Sequence, residues 1–436
     1  MTSATPNHVG YSEYIVMWFA LLFLAAGLPW EWTRRDVAGQ LVEASPLVSI
    51  IFLAIGGFLA LQMNGRWAEM LTLIVREPLL LLLLGWVLLS FIWSADPPTT
   101  IRRTFALGIT SYVGIHLALR FSQFEILRLV ASVLAVVAMT NLAWIIFLPQ
   151  FSGPVAGQTG AGLEFDARLT GIFSNPNPLG RVMALSVFTM LAAFRLDRRR
   201  RPFYVIALGA AIAVLLLSQS ATALVATVTT SALLIVLLVF RARRTLFGAV
   251  VVAMSTIGFG SIFLAINSLG TLTAGLGRDV TLTGRIPLWE ILFPEIAEAP
   301  ILGRGYSAFW QGWGSPAQEI WNQVPWLPPH GHNEFLDVTL TLGFVGLFLY
   351  CALLFRTGVR ATRYIRDVPH VFGLWPLTFL GFYLASTVSE SDVFGRNIVW
   401  ALLCSMIVLV SSKKREIDAT VEEQPTSSAA LDPLPQ

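Results

Sequence analysis

Hydrophobic residues in this chain run in long, nearly unbroken blocks, separated by short polar or basic breaks, with no strand-like alternation. A bilayer-spanning helix needs roughly 20 mainly apolar residues. On that measure the blocks predict spans at Tyr11–Leu28, Pro46–Met63, Pro78–Trp93, Thr104–Leu119, Ile126–Leu148 and Pro178–Phe194. The second half continues with Phe203–Ser218, Ala221–Phe240, Leu246–Asn267, Glu334–Phe355, Val371–Val388 and Asn397–Ser411. Spans seven and eight are almost contiguous, which also fits a re-entrant pair. The pattern predicts an all-α integral membrane protein of about twelve transmembrane helices. A long loop, about 268–331, lies between the ninth and tenth helices.

Composition agrees with this pattern. Hydrophobic residues make up 55%, charged residues 13%, and mean hydropathy is +0.69, whereas a soluble domain carries about 25% charged residues. The expected unit is one membrane domain over 1–415, followed by an acidic tail rich in Ser, Ala and Pro over 416–436 that reads as disordered. The first ten residues lack the basic flank of a signal peptide, so the first block reads as a retained span.

Basic residues set the orientation, because they collect in cytoplasmic loops. If the N-terminus is cytoplasmic, the even-numbered loops and the tail hold 19 of the 29 Lys and Arg residues. Both termini are then expected in the cytoplasm and the 268–331 loop outside. Cys351 and Cys404 fall within predicted spans and suggest neither a disulfide nor a metal site. No basic patch indicates nucleic-acid binding, and no internal repeat marks a symmetric transporter.

Polar chemistry gathers in the long external loop. It carries Arg278, Asp279, Arg285, Glu290, Glu295, Glu298, Arg304 and Glu319, with Trp289, Tyr306, Phe309, Trp310, Trp313, Trp321 and Trp326. Such aromatics fit an interfacial belt first, a reading compatible with stacking on sugar rings beside a lipid. The loop closes on His330 and His332. Asn333 has the chemistry of an N-cap for a helix starting at Glu334, which puts His332 at the positive end of that helix. That position favours a neutral imidazole, able to take a proton from a hydroxyl, and attracts phosphate. A capping or hydrogen-bonding His without catalysis fits the same residues. His330, between Pro329 and Gly331, reads as shaping the loop; His8, His116 and His370 carry no signal.

Several motifs together resemble a known family. His332-Asn333, nine residues, then Gly343-Phe344-Val345-Gly346 is similar to the signature of the O-antigen ligase and polymerase superfamily, which includes Wzy-type polymerases, O-antigen ligases and ExoQ-type exopolysaccharide proteins. Thr283-Gly284-Arg285 with Trp289, Pro300–Tyr306, and Phe309-Trp310 resemble its external loop. Arg168–Phe173 with Asn175-Pro176-Asn177 and Gly180, and Ile92-Trp93-Ser94 with Asp96-Pro97 and Arg102-Arg103, resemble earlier landmarks. Glu390-Ser391 fits a late one. The likeness runs from about Trp86 to Trp400 and is nearest to the ExoQ-type branch.

The resemblance implies a GT-C-like helical bundle that transfers or polymerises undecaprenyl-diphosphate-linked glycans at the extracytoplasmic face, in exopolysaccharide or O-antigen assembly. His332 would be the catalytic base. Arg285, with Arg168 and Arg304, would bind the diphosphate, since a guanidinium bridges two phosphate oxygens. Asn333, His330 and Tyr306 would support them. Arginines would replace a metal, and no cofactor is expected. The implied partners are the lipid-linked donor, a glycan or lipid-linked acceptor, membrane lipid, and export or chain-length proteins. The family often carries a basic residue where this chain has Ala221, in Ser218-Gln219-Ser220-Ala221-Thr222; Arg181 is the nearest substitute. An O-antigen ligase acting on lipid A-core is one alternative and a flippase another. Against the flippase, the predicted spans are largely free of ionisable residues.

Overall fold

The computed structural model describes residues 9–26, 46–63, 65–153, 168–173, 175–242, 285–324, 327–368, 371–388, 390–391 and 394–411. Within them every regular element is a helix. The α-helices are α1 (Tyr11–Ala25), α2 (Pro46–Gln62), α3 (Trp67–Val75), α4 (Pro78–Leu89), α5 (Pro97–Arg120), α6 (Gln123–Phe147) and α7 (Pro176–Leu196). They continue with α8 (Arg201–Ser218), α9 (Ala221–Ala242), α10 (Arg285–Glu298), α11 (Ala317–Trp321), α12 (Glu334–Asp367), α13 (Trp375–Thr387) and α14 (Ile398–Ser411). Among the described residues five helices are long and apolar enough to cross a membrane, or six if α2 and α3, bent by 108°, count as one span. Helices α1 and α14 are apolar but shorter. The protein is a helical, multi-pass membrane protein. The ninth predicted span, Leu246–Asn267, the first part of the external loop and the tail lie outside the described residues.

Local start signals begin α5 and α6 before the predicted Thr104 and Ile126. Asp96 caps α5 by accepting from Thr99 N, with Pro97 and Pro98 preset for a first turn. Ser122 and Glu125 form a reciprocal capping box on α6. The amphipathic α3 was not among the predicted spans, and α12 runs 34 residues, past the predicted Phe355 to Asp367. Burial decides which helix is central: residues Ile398–Val410 of α14 are all buried, as an all-apolar helix requires. Helix α5 lies against it so closely that a Cβ on Gly114 would come 2.0 Å from the Ala401 carbonyl oxygen. Small residues allow such close crossings within membranes.

Helix α12 is broken, and the break anchors residues 300–305 of the loop predicted to be external. Gly343 has φ 67° and ψ −174°, a conformation essentially confined to glycine. The interruption leaves carbonyls without their helical partners, and such groups must be satisfied elsewhere. Arg304 N donates to Leu340 O (3.0 Å) and Gly305 N to Thr341 O (2.9 Å). The Trp86 indole donates to Leu342 O (2.9 Å), and Phe344 N donates to Pro300 O (2.8 Å). Residues 300–305 therefore dock into the break. Their other side is held by Ala95 N to Arg304 O (2.9 Å), Trp93 Nε1 to Leu302 O (2.9 Å) and Thr100 Oγ1 to Tyr306 O (2.9 Å). Three separate sequence motifs are one mechanical joint.

The ion pairs fall into two groups. Among the described residues, each pair joins segments that the basic-residue pattern assigns to the same side. On the predicted cytoplasmic side Glu13 meets His116 (2.8 Å) and Arg120 (2.7 Å), Arg128 meets Asp197 (3.0 Å), and Glu77 meets Arg360. This corrects the expectation that the spans are largely free of ionisable groups. Glu13 and His116 are fully buried within helices, but they occur as a mutually neutralising cluster, the form in which buried charge is tolerated.

Candidate active site

The opposite side gathers segments that are far apart in sequence around one carboxylate, Glu390. Three earlier segments build one wall. Thr170 N donates to Ser152 O (2.7 Å) and Leu169 N to Leu217 O (3.2 Å), and Asn141 Oδ1 accepts from Ile172 N (3.0 Å). These bonds hold Arg168 near the turn between α8 and α9. Gly180 lets α7 approach that turn, since a Cβ there would meet Ser220 Cβ at 2.7 Å. Asn177, in the first turn of α7, accepts from Ser220 Oγ (3.1 Å).

Helix α12 builds the other wall. Asn333 caps it as expected, accepting from Phe335 N (3.0 Å) and Leu336 N (3.2 Å), while its amide donates to Val388 O (3.1 Å). His332, one residue earlier, has φ 51°. A non-glycine residue in the left-handed region costs of order 1–3 kcal/mol and commonly marks a functional site. The twist directs its ring to Glu390, with Nδ1 3.4 Å from Oε1.

Glu390 Oε1 also accepts from Arg285 Nη2 (2.6 Å) and Asn177 Nδ2 (2.7 Å). Arg285 Nη1 donates to Thr222 Oγ1 (3.2 Å). Burial of Glu390 would raise its pKa, but the hydrogen bond and charge of His332, with the charges of His330 and Arg285, hold it at about 2. Burial lowers the pKa of Arg285; Glu390 opposes that shift and the charge of Arg168 adds to it. An anion bound there would relieve the repulsion between the two arginines.

Hydrogen bonds assign the two histidines different tautomers. His332 N donates to His330 Nδ1 (3.2 Å), so that nitrogen carries a lone pair and Nε2 carries the hydrogen. His330 Nε2 faces Glu390 Oε2 at 4.0 Å. Burial, reinforced by His332 and by Arg181 and Arg285, pushes the His330 pKa well below 6.5 against the pull of Glu390. In His332 the ionised Glu390 faces Nδ1, which fixes the hydrogen there and leaves the lone pair on Nε2. That is the carboxylate–histidine arrangement of a general base.

The predicted site residues thus divide. His332, His330, Asn333 and Arg285 come together, with Arg168 at the edge. Arg304 does not join them: it pairs with Glu295 (3.2 Å) and Glu298. Tyr306 is buried and donates to Phe394 O (3.2 Å), which fits a packing role. Arg181 lines the site and donates to Ser391 O (3.0 Å), while Ala221 is exposed next to Thr222. Sequence reading gave Glu390 no chemical role: it entered only as part of the late landmark Glu390-Ser391, with Asp392 two residues on. Sequence reading also saw no metal cluster. The fold corrects this, because His330, His332 and Glu390 offer ligand atoms within 4.8 Å of one another. Arg285 already occupies Glu390, however, and Arg181 adds positive charge, so the surroundings favour an anion over a divalent cation.

Comparison with known proteins agrees with this architecture. The O-antigen ligase family matches residues 206–351, from α8 past the break in α12. The chain is 25% identical over 277 residues to the "Exopolysaccharide production protein ExoQ" of Rhizobium meliloti, covering 61% of each chain. It is 36% identical over 75 residues to a "Putative polysaccharide ligase" of Rickettsia conorii, covering 16% of this chain and 18% of that one. The chain thus matches less than two thirds of the length of either relative. Residues 206–351 thus match the O-antigen ligase family, and the chain is similar to proteins named for exopolysaccharide production and polysaccharide ligation.

Proposed function

We propose that the protein is a glycosyltransferase that moves a glycan from a lipid diphosphate to a sugar hydroxyl at the extracytoplasmic face of the bacterial cytoplasmic membrane. The observation that carries this reading is Glu390 bridging His332 and Arg285, because it couples a proton acceptor to an anion-binding cation. His332 Nε2 takes the proton of the acceptor hydroxyl. That oxygen attacks the anomeric carbon, and the bond to the diphosphate breaks. Glu390 stabilises the imidazolium that forms. Arg285 and Arg168, with Arg181 beside them, stabilise the charge developing on the departing lipid diphosphate. In this reading the arginines take the charge-neutralising part that a metal would otherwise play.

A polymerase that joins lipid-linked repeats is the preferred reaction, since the match to ExoQ extends over 277 residues. The 36% identity of a 75-residue segment to a polysaccharide ligase keeps ligation as the second reading. Purified protein in nanodiscs separates the two. A ladder from lipid-diphosphate repeats alone supports polymerisation. Product only when lipid A-core is added supports ligation, and glycan movement across vesicles without new glycosidic bonds refutes both. A reporter fused near Gly312 should read external and one after Arg200 cytoplasmic; the reverse would overturn the assigned face.

A further inference from the structure

Asp337 lies in the first turn of α12, five residues after His332, and the mechanism above does not use it. Its carboxylate ties together three segments that no covalent path keeps in register. Oδ1 accepts from the Trp310 indole (2.8 Å). Oδ2 accepts from Gly331 N (2.8 Å) and from Ser391 Oγ. Gly331 precedes His332, and Ser391 follows Glu390. The fit around Gly331 is close, because a Cβ there would approach both Asp337 oxygens at 3.2 Å and Leu292 Cδ1 at 2.9 Å. Each half of the His332–Glu390 pair is therefore pinned one residue away by the same carboxylate, and Trp310 fixes that carboxylate to the external loop.

We infer that Asp337 is a positioning residue that sets the contact between His332 and Glu390. The inference rests on the reading of His332 as the base. A carboxylate suits the task because it accepts from all three donors at once, whereas an amide of the same shape has one acceptor and must turn its NH2 toward an indole N–H or a backbone N–H. The His332–Glu390 contact is already long at 3.4 Å, so a further displacement removes it. Misplacement of a catalytic group by about 1 Å can cost on the order of 100-fold in rate.

The test compares wild type, Asp337→Asn, His332→Ala and the double variant as purified full-length protein in nanodiscs. Asp337→Asn should lower kcat for transfer by roughly 10- to 100-fold and leave the donor KM within about threefold. Carbethoxylation of His332 by diethyl pyrocarbonate, located by peptide mass spectrometry, should accelerate about tenfold or more as its enclosure loosens. In the double variant Asp337→Asn should add no loss beyond that of His332→Ala, since groups acting through one another are not additive. Wild-type kcat, wild-type labelling, or a fully additive loss would each overturn the inference. Should His332→Ala alone keep full transfer, the base assignment fails, while the labelling rate still decides whether Asp337 holds the loop. If Asp337→Asn does not fold, Ser391→Ala removes one of the three ties and should show the same labelling change, less strongly; unchanged labelling there would also overturn it.

Discussion

Replacing Glu390 with glutamine isolates the charge at the centre of the site. Arg285, Asn177 and His332 all address Oε1, so a glutamine with its oxygen in that position keeps the acceptor and loses the negative charge. Two unit charges 4 Å apart interact by about 4 kcal/mol at an effective dielectric of about 20. If about half a charge has formed on His332 at the transition state, the loss is about 2 kcal/mol, or roughly 30-fold in rate; full charge development gives roughly 1,000-fold. Glu390→Gln should therefore lower kcat by 30- to 1,000-fold. The donor KM should stay level or fall, because Arg285 is released from its anionic partner. Initial rates of glycan transfer at matched protein amounts measure this. Activity within threefold of wild type would refute the coupling. The same variant carries a pH signature. The Glu390 pKa is lowered from 4.5 to about 2, so its stabilising contribution is present above about pH 4.5 and disappears as pH falls through about 2. The stability difference between wild type and Glu390→Gln, followed by thermal unfolding in detergent, should shrink across that window; a constant difference would contradict it.

Other predictions follow from the same geometry. Arg285→Lys keeps charge but cannot reach Glu390, Thr222 and a phosphate together, and should cost about 100-fold in transfer; near-normal yield would leave Arg285 a structural role only. Gly343→Ala should lower stability by at least about 2 kcal/mol, since its Cβ would lie 2.0 Å from Ile301 O. Gly108→Ala, in open space on α5, should be neutral or stabilising, and equal unfolding temperatures for the two would refute the docked joint. Chelation with EDTA should leave transfer unchanged, while loss of activity restored by Zn²⁺ would make His330, His332 and Glu390 a metal site.

Much of the helical order was legible because bilayer spans need length and apolarity alone. Asn333 was legible as a cap because capping is local chemistry. The bend after α2 and the extension of α12 to Asp367 were not, since both depend on which neighbours satisfy the backbone. His332 stood out as a polar group at the edge of an apolar block, and Arg285 only through the motif Thr283-Gly284-Arg285 that carries the resemblance. Glu390 was legible only as a landmark, because its role comes from meeting residues 58 and 105 positions earlier. Arg304 was a supporting candidate beside Arg285, yet Glu295 and Glu298, one turn apart on α10, claim it. Gly303 and Gly343 read as signature positions, and only the fold gives the reason: two backbones cross where any Cβ would collide.

The central claim is that His332 accepts the proton that lets a sugar hydroxyl attack a lipid-diphosphate glycan. Single-turnover transfer by wild type and His332→Ala in nanodiscs, from a defined lipid-diphosphate repeat, tests it most directly, with His330→Ala as the control in the same loop. The account predicts a loss of about 100- to 10,000-fold for His332→Ala, with lipid diphosphate released by wild type in step with each new glycosidic bond, and a smaller loss for His330→Ala. Equal single-turnover rates for wild type and His332→Ala would contradict it.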